Sequence, residues 1–184
     1  MIIHHVEQNS PEWLQLHCGI PTASEFKKLI TSSGQPSTQL KDYAASLAAD
    51  LIAGEYLDHF AGNKATERGH ELEPMARTEY EFITDSEASL VGFVTDDEIT
   101  YGCSPDFFIN ENGLGEIKCQ LAKGFVTAIA SYNRTGKFPT DYYVQAQGQM
   151  FVCERDWCDL VLYHPHPNYR TKIIRTEPDP KFQV

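Results

Sequence analysis

The tightest constraint in this sequence is an acidic and basic pattern wrapped around one turn. It runs Ser104-Pro105-Asp106-Phe107-Phe108-Ile109, then Asn110 to Gly113, then Leu114-Gly115-Glu116-Ile117-Lys118-Cys119. The apolar runs on either side read as the two strands of a β-hairpin. Glu116 and Lys118 stand two apart, so in a strand both side chains leave the same face. Whether Asp106 joins them depends on register. A plain loop over Asn110 to Gly113 would set Asp106 against Ile117 and turn the two acids to opposite faces. A three-residue loop with Gly113 in a left-handed bulge sets Asp106 opposite Glu116. The expectation is therefore an odd-length loop or a bulge, and an even register would remove the site. Two carboxylates and an ammonium on one face suit Mg²⁺-dependent phosphodiester cleavage: the acids hold a hard cation, and the lysine steadies a nucleophilic water or the developing phosphorane charge. The same residues could equally decorate an exposed hairpin as solvated charge, so the rest of the chain has to discriminate.

Residues 1–184 read as a single domain, long enough to bury a proper core. No stretch approaches 18 apolar residues, so no transmembrane helix and no membrane partner is expected. Met1-Ile2-Ile3-His4-His5 lacks the basic region and apolar run of a signal peptide, so the protein is expected in the cytoplasm of its host. The five cysteines are an odd number without a CxxC, so buried reduced thiols are expected rather than a disulfide framework, a zinc site or an iron–sulfur site. A net charge of −11 counts against strong non-specific DNA affinity. It suits a protein that holds nucleic acid by topology, by a specific end or with a partner, using bound cations to offset its acids.

Along the chain, Pro11 to Leu16 reads as a short helix, and Thr22-Ala23-Ser24-Glu25 as a capping box opening a second helix through Ile30. Helices follow at Gln39 to Ala53 and at Lys64 to Ile83, where Gly69 and Pro74 threaten a break or bend. Short β runs come next, at Ser89 to Val94, Thr100 to Cys103 and in the hairpin. Helices at Ala122 to Asn133 and Thr140 to Cys153 precede closing strands at Trp157 to His164 and Thr171 to Thr176. That order implies an α/β fold with a central mixed sheet flanked by helices, not a doubly wound parallel one.

Other side chains could join the chemistry. A carboxylate at Glu73, on a packed helix, can reach the site from outside the hairpin, although a surface charge is the plainer reading. Gln145 and Gln149 share a helix face that Gln147 does not, and a glutamine beside a metal site can orient water or phosphate without adding charge. Ser24 and Ser104 can bind phosphate through hydroxyl and backbone N–H groups. Trp13 reads as core, with base stacking as its functional alternative. Arg77, Lys123, Arg134 and Lys137 are candidate phosphate contacts whose default is solvated surface. His164-Pro165-His166-Pro167 offers no third ligand for a metal.

Taken in order, Trp13, Gly19, Thr22-Ala23-Ser24, the Gly69 and Glu73 helix with Ala76-Arg77, Ser104-Pro105-Asp106, Glu116-Ile117-Lys118-Cys119 and Tyr142-x2-Gln145-Ala146-Gln147 form a recognisable set. The chain resembles the phage lambda-type viral recombinase exonucleases of the PD-(D/E)xK superfamily, over residues 10 to 163. The resemblance implies a restriction-endonuclease-like core and Mg²⁺-dependent 5′→3′ degradation of one strand of linear duplex DNA, with Mn²⁺ as the alternative metal. The resulting 3′ strands would serve recombination through a single-strand annealing protein. By position, Asp106 and Glu116 would be metal ligands with the Ile117 carbonyl. Lys118 would activate or position the attacking water, Glu73 would be an accessory acid, and Gln145 would complete the site. Ser24 and Ser104 would help hold a 5′-phosphate.

The chain departs from the family pattern at several points. His17 stands where the family carries an arginine for the 5′-phosphate, Phe107 replaces the glycine after the aspartate, and Lys123 is all that matches the basic residue following the lysine. The sequence also stops short of the family's extra C-terminal helices. These differences bear on 5′-end preference and on the family's ring-shaped trimer more than on hydrolysis. Two other readings stand beside the exonuclease: an endonuclease or repair nuclease of the same superfamily, which would cut closed circles, and a non-catalytic DNA-end-binding module.

Overall fold

The computed structural model describes residues 1–57 and 64–182. In chain order they form β1 (Ile2–His4), α1 (Pro11–His17), a 3₁₀ turn (Ala23–Lys28), α2 (Leu40–Ala53), α3 (Lys64–Thr84), β2 (Ala88–Ser89), β3 (Phe93–Thr95) and β4 (Gly102–Cys103). Then come β5 (Phe107–Ile109), β6 (Gly113–Lys118), α4 (Ala122–Thr135), α5 (Thr140–Cys153), β7 (Trp157–Leu162), β8 (Lys172–Thr176) and a closing 3₁₀ turn (Pro180–Phe182). The main sheet has the order β2-β5-β6-β7-β8. Only β6 and β7 pair in parallel, so the sheet is mixed. A parallel pair needs a long crossover, which α4 and α5 supply. Among the described residues no helix is long and apolar enough to cross a membrane.

Alternation along the strands sorts the two faces. On one, Phe107, Ile109, Ile117 and Val161 pack with Ala76 and Tyr80 of α3. On the other, Leu114 and Cys158 meet Ala146 and Met150 of α5, while Leu160, Leu162 and Ile174 meet Phe125 of α4. Asp159 pairs with Gly115 in register and so lies on the α3 face. There its buried carboxylate is fully satisfied. Tyr80 donates to Oδ2 at 2.8 Å, and Arg175 donates through two nitrogens, each at 2.8 Å. The guanidinium lies over the Trp157 ring, 3.5 Å from its centroid.

Several expectations are corrected here. The segment after Thr22 is a 3₁₀ turn ending at Lys28, not an α-helix to Ile30, and Thr22 makes no side-chain cap. Thr22 bridges Gly102 of β4 instead, and Glu25 pairs with Lys28 rather than reaching back to a cap. The turn packs closely on α5, where a β-carbon at Gly148 would lie 2.4 Å from the Phe26 ring. Ser89 to Val94 is not one strand. Ala88–Ser89 joins the main sheet, while Phe93–Thr95 belongs to a second sheet of order β1-β3-β4. Gly69 and Pro74 do not interrupt α3. All five cysteines are free; Cys103, Cys153 and Cys158 are buried, and Cys18 and Cys119 are partly exposed.

Gly115 fixes the hairpin against this core. A β-carbon there would lie 2.1 Å from Cζ of Phe107, its fully buried cross-strand partner. Gly115→Ala should therefore lower unfolding stability by about 1–3 kcal/mol, read as a drop in the urea midpoint at unchanged slope.

Candidate active site

The hairpin register is the one the acidic pattern requires. Phe107 pairs with Gly115, Phe108 with Leu114 and Ile109 with Gly113, leaving Asn110, Glu111 and Asn112 as the turn. Asp106 lies just before β5, beyond the last paired rung; its N–H donates to the Gly115 carbonyl at 3.2 Å, and it lines the same cleft as Glu116. The turn differs in one detail from expectation: the left-handed residue is Asn110 (φ 48°), not Gly113. An asparagine tolerates that conformation better than most side chains.

Glu116 is only 3% exposed. Its Oε1 meets Lys118 Nζ at 2.5 Å and accepts from Gln145 Nε2 at 2.8 Å, and its Oε2 accepts from Gln149 Nε2 at 2.6 Å. Both glutamines come from α5, which packs on the face that Glu116 and Lys118 share. Asp106 Oδ2 accepts from the Ile117 N–H at 2.5 Å. A strand residue points its N–H and C=O to the same edge, so the Ile117 carbonyl also faces the side where Asp106 lies.

Burial first, then the neighbouring Glu116 carboxylate, push the Asp106 carboxyl well above the ordinary carboxylate range. Burial alone would lower the Lys118 ammonium, but the charges of Glu116 and Asp106 outweigh it and hold the lysine more firmly protonated than usual. The Lys118 nitrogen also lies 5.4 Å from the centre of the Tyr142 ring, whose hydroxyl accepts from Gln120 at 2.5 Å.

These groups sit in a cleft of about 760 Å³. It is also lined by Trp13, His17, Ser24, Glu73, Ser104, Ile117 and Gln145, so nearly every candidate from the sequence converges on it. Arg77 and Lys123 are not among the lining residues. Trp13 Nε1 donates to Ser104 Oγ at 2.9 Å, joining α1 to the segment before Asp106. His17 is buried, with its ring 3.5 Å from Trp13 and 4.2 Å from Phe93, and Nδ1 is 2.8 Å from the Trp13 carbonyl. Ser24 Oγ lies 3.3 Å from Thr22 Oγ1. Glu73 reaches the cleft from α3, beside His70 at 3.4 Å. Sequence reasoning noted Gln149 only as sharing a face with Gln145, and it left His70 outside the site. For Gln149 the signal was present, because it lies one helical turn beyond Gln145.

Lys27 and Lys118 face Glu25, Glu73, Asp106 and Glu116 in the lining, so the cleft is net acidic with its histidines neutral. Among the described residues no three His, Cys, Asp or Glu side chains are close enough to hold a metal by themselves. What the cleft offers is a pair of carboxylates, with the Ile117 carbonyl beside them. That all-oxygen set fits a hard divalent cation which keeps part of its shell for water and phosphate, as Mg²⁺ does.

Over residues 12–156 the chain matches the family described as the YqaJ-like viral recombinase domain, and it belongs to that family. Its structure is similar to that of an alkaline exonuclease (LHK-Exo) from Laribacter hongkongensis: TM-score 0.78 and 31% identity, covering 92% of this chain and 83% of that one. The same enzyme in complex with dAMP gives TM-score 0.77 and 30% identity, covering 94% and 85%. A phage related exonuclease from Haemophilus somnus 129PT shares the fold, at TM-score 0.66 and 17% identity, covering 89% and 86%. No curated protein sequence matches the chain.

The two adjacent acids carry a stability consequence. Asp106→Asn keeps an oxygen for the Ile117 N–H while removing a charge beside Glu116. In protein stripped of divalent metal it should raise the melting temperature by about 2–4 °C, the shift expected for ~1 kcal/mol at this size. An unchanged or lower midpoint in a thermal melt would contradict the charge repulsion described above.

Proposed function

We propose that this family member is a divalent-cation-dependent deoxyribonuclease that removes nucleotides from the ends of linear duplex DNA, working 5′→3′. The observation that carries the reading is the convergence of Asp106 and Glu116 on one acidic cleft, with Lys118 paired to Glu116. Bare phosphodiester would be repelled there; a divalent cation held by these carboxylates would offset that charge. Exonuclease rather than endonuclease activity is supported by the similarity, at 31% identity, to an alkaline exonuclease, a protein also described in complex with dAMP.

In this reading Asp106, Glu116 and the Ile117 carbonyl hold the cation, Mg²⁺ or Mn²⁺. When bound, it polarises the scissile phosphate and lowers the pKa of a bound water. Lys118, protonated because two carboxylates surround it, is a poor proton acceptor; it orients water and neutralises charge on the phosphoryl oxygens. Gln145 and the accessory acid Glu73 hydrogen-bond water in the same space. Trp13, tied to Ser104, forms with Ser24 a wall suited to a terminal nucleotide and its phosphate. His17, packed against Trp13 with its ring tilted by 34°, supports that wall. Arg77 and Lys123 do not line the cleft and take no part in this chemistry.

Three further elements rest on the family resemblance: a homo-oligomer forming a ring-shaped trimer around the duplex, a single-strand annealing protein receiving the 3′ strand, and action in the host cytoplasm. An acidic protein gains little affinity from phosphate contacts, so encirclement would give it processivity.

Linear duplex labelled at each 5′ end, and closed circular duplex, should separate the readings in the presence of Mg²⁺. The expected result is nucleotide release from linear ends only, reduced at least about 10²-fold in Lys118→Ala and Asp106→Ala. Cleavage of the circle would reassign the protein to the endonucleases. No cleavage of any DNA with either metal would leave an end-binding module and end this mechanism.

A further inference from the structure

Three glutamines, Gln145, Gln147 and Gln149, alternate on α5 and do two different jobs. Gln147 faces the C-terminal segment, donating to the Glu177 carbonyl at 2.9 Å and accepting from the Asp179 N–H at 2.7 Å. Gln145 and Gln149, one turn apart, both face Glu116. They do not hold it equivalently. Gln145 shares Oε1 with Lys118, at the side where the cleft is open. Gln149 is 1% exposed and holds Oε2 at 2.6 Å.

The other end of Gln149 shows that this contact is imposed. Its Oε1 is buried and, among the described residues, has no hydrogen-bond partner. Turning the amide over would not help, because it would aim a carbonyl oxygen at a carboxylate. The side chain therefore leaves one polar atom unsatisfied to keep its N–H₂ on Glu116. A neutral donor also holds the carboxylate without neutralising it, unlike Lys118, which competes with any incoming cation for Oε1.

We propose that Gln149 is a positioning residue: by fixing Oε2 it sets the orientation of the Glu116 carboxylate and hence the affinity of the cleft for a divalent cation. This rests on the reading that Asp106 and Glu116 hold that cation. Groups that orient a metal ligand from behind typically change metal affinity by about 10–100-fold when removed.

The test is Mn²⁺ binding by DNA-free protein, followed by calorimetry and by the electron-spin signal of free Mn²⁺, with a thermal melt in chelator alongside. Gln149→Met fills the same volume, removes the donor and also removes the orphaned carbonyl. The expected result is Mn²⁺ binding weaker by about tenfold or more, with a melting temperature no lower than that of the unsubstituted protein. The metal concentration giving half-maximal DNA cleavage should rise by the same factor. Unchanged Mn²⁺ affinity with a lowered melting temperature would make Gln149 a packing residue and overturn the proposal. Should Gln149→Met fail to fold, Gln149→Asn withdraws the amide by one methylene, and the same comparison decides. Glu116→Gln separates the two levels of the argument. If it binds Mn²⁺ like the unsubstituted protein, the cation is not at Glu116 and the nuclease reading fails with the inference. If Glu116→Gln loses binding while Gln149→Met does not, only the inference fails.

Discussion

Asp106 reaches the cleft of Glu116 because Ile109 pairs with Gly113, leaves three residues in the turn between β5 and β6, and so sets Phe107 against Gly115. Side chains alternate along a strand, so a slip of one residue would send Asp106 to the far face and leave Glu116 and Lys118 without a second acid. The surroundings hold the turn in place. Arg155, just before β7, donates to the carbonyls of Asn110 and Glu111 while its guanidinium lies over Phe108. The Asp156 N–H donates to the Asn112 carbonyl at 2.9 Å. From below, the Phe107 ring fills the space over Gly115 that any β-carbon would need. Register, and with it the cleft chemistry, is determined from three directions.

Two buried carboxylates in one sheet, Glu116 and Asp159, show how environment separates structure from chemistry. Both are nearly inaccessible, and a buried charge is costly unless compensated. Asp159 is matched by a bidentate arginine and a tyrosine hydroxyl on the α3 face, away from the cleft. Glu116 is held by a lysine and two neutral amides beside an acidic cleft shared with Asp106. With one lysine facing the two carboxylates, that arrangement orients negative charge without fully cancelling it. The protein's overall acidity takes on a local meaning here, since the cleft is built to receive a cation before it can receive phosphate.

Much of this was readable from residue spacing. The two-residue step from Glu116 to Lys118, the need for an odd turn and the one-turn step between Gln145 and Gln149 follow from strand and helix periods. The long helices and the mixed sheet follow from hydrophobic pattern. What the sequence misjudged depends on tertiary contacts. Thr22-Ala23-Ser24-Glu25 has the composition of a capping box, but Thr22 is taken by a bridge to Gly102 and Glu25 by Lys28. Ile2–His4 is too short a run to signal a strand until β3 lies beside it. The run from Ser89 to Val94 is apolar enough for one strand, yet serves two sheets. Arg77 and Lys123 have suitable chemistry, and only the fold reveals that they do not line the cleft.

The most direct test of the account is a crystal structure of the protein soaked with Mn²⁺, phased to reveal the metal by its anomalous scattering. The account predicts a peak between the carboxylates of Asp106 and Glu116, within coordinating reach of the Ile117 carbonyl, with Lys118 drawn off Glu116 Oε1. A peak elsewhere in the molecule, or none at saturating Mn²⁺ with Lys118 still paired to Glu116, would contradict it.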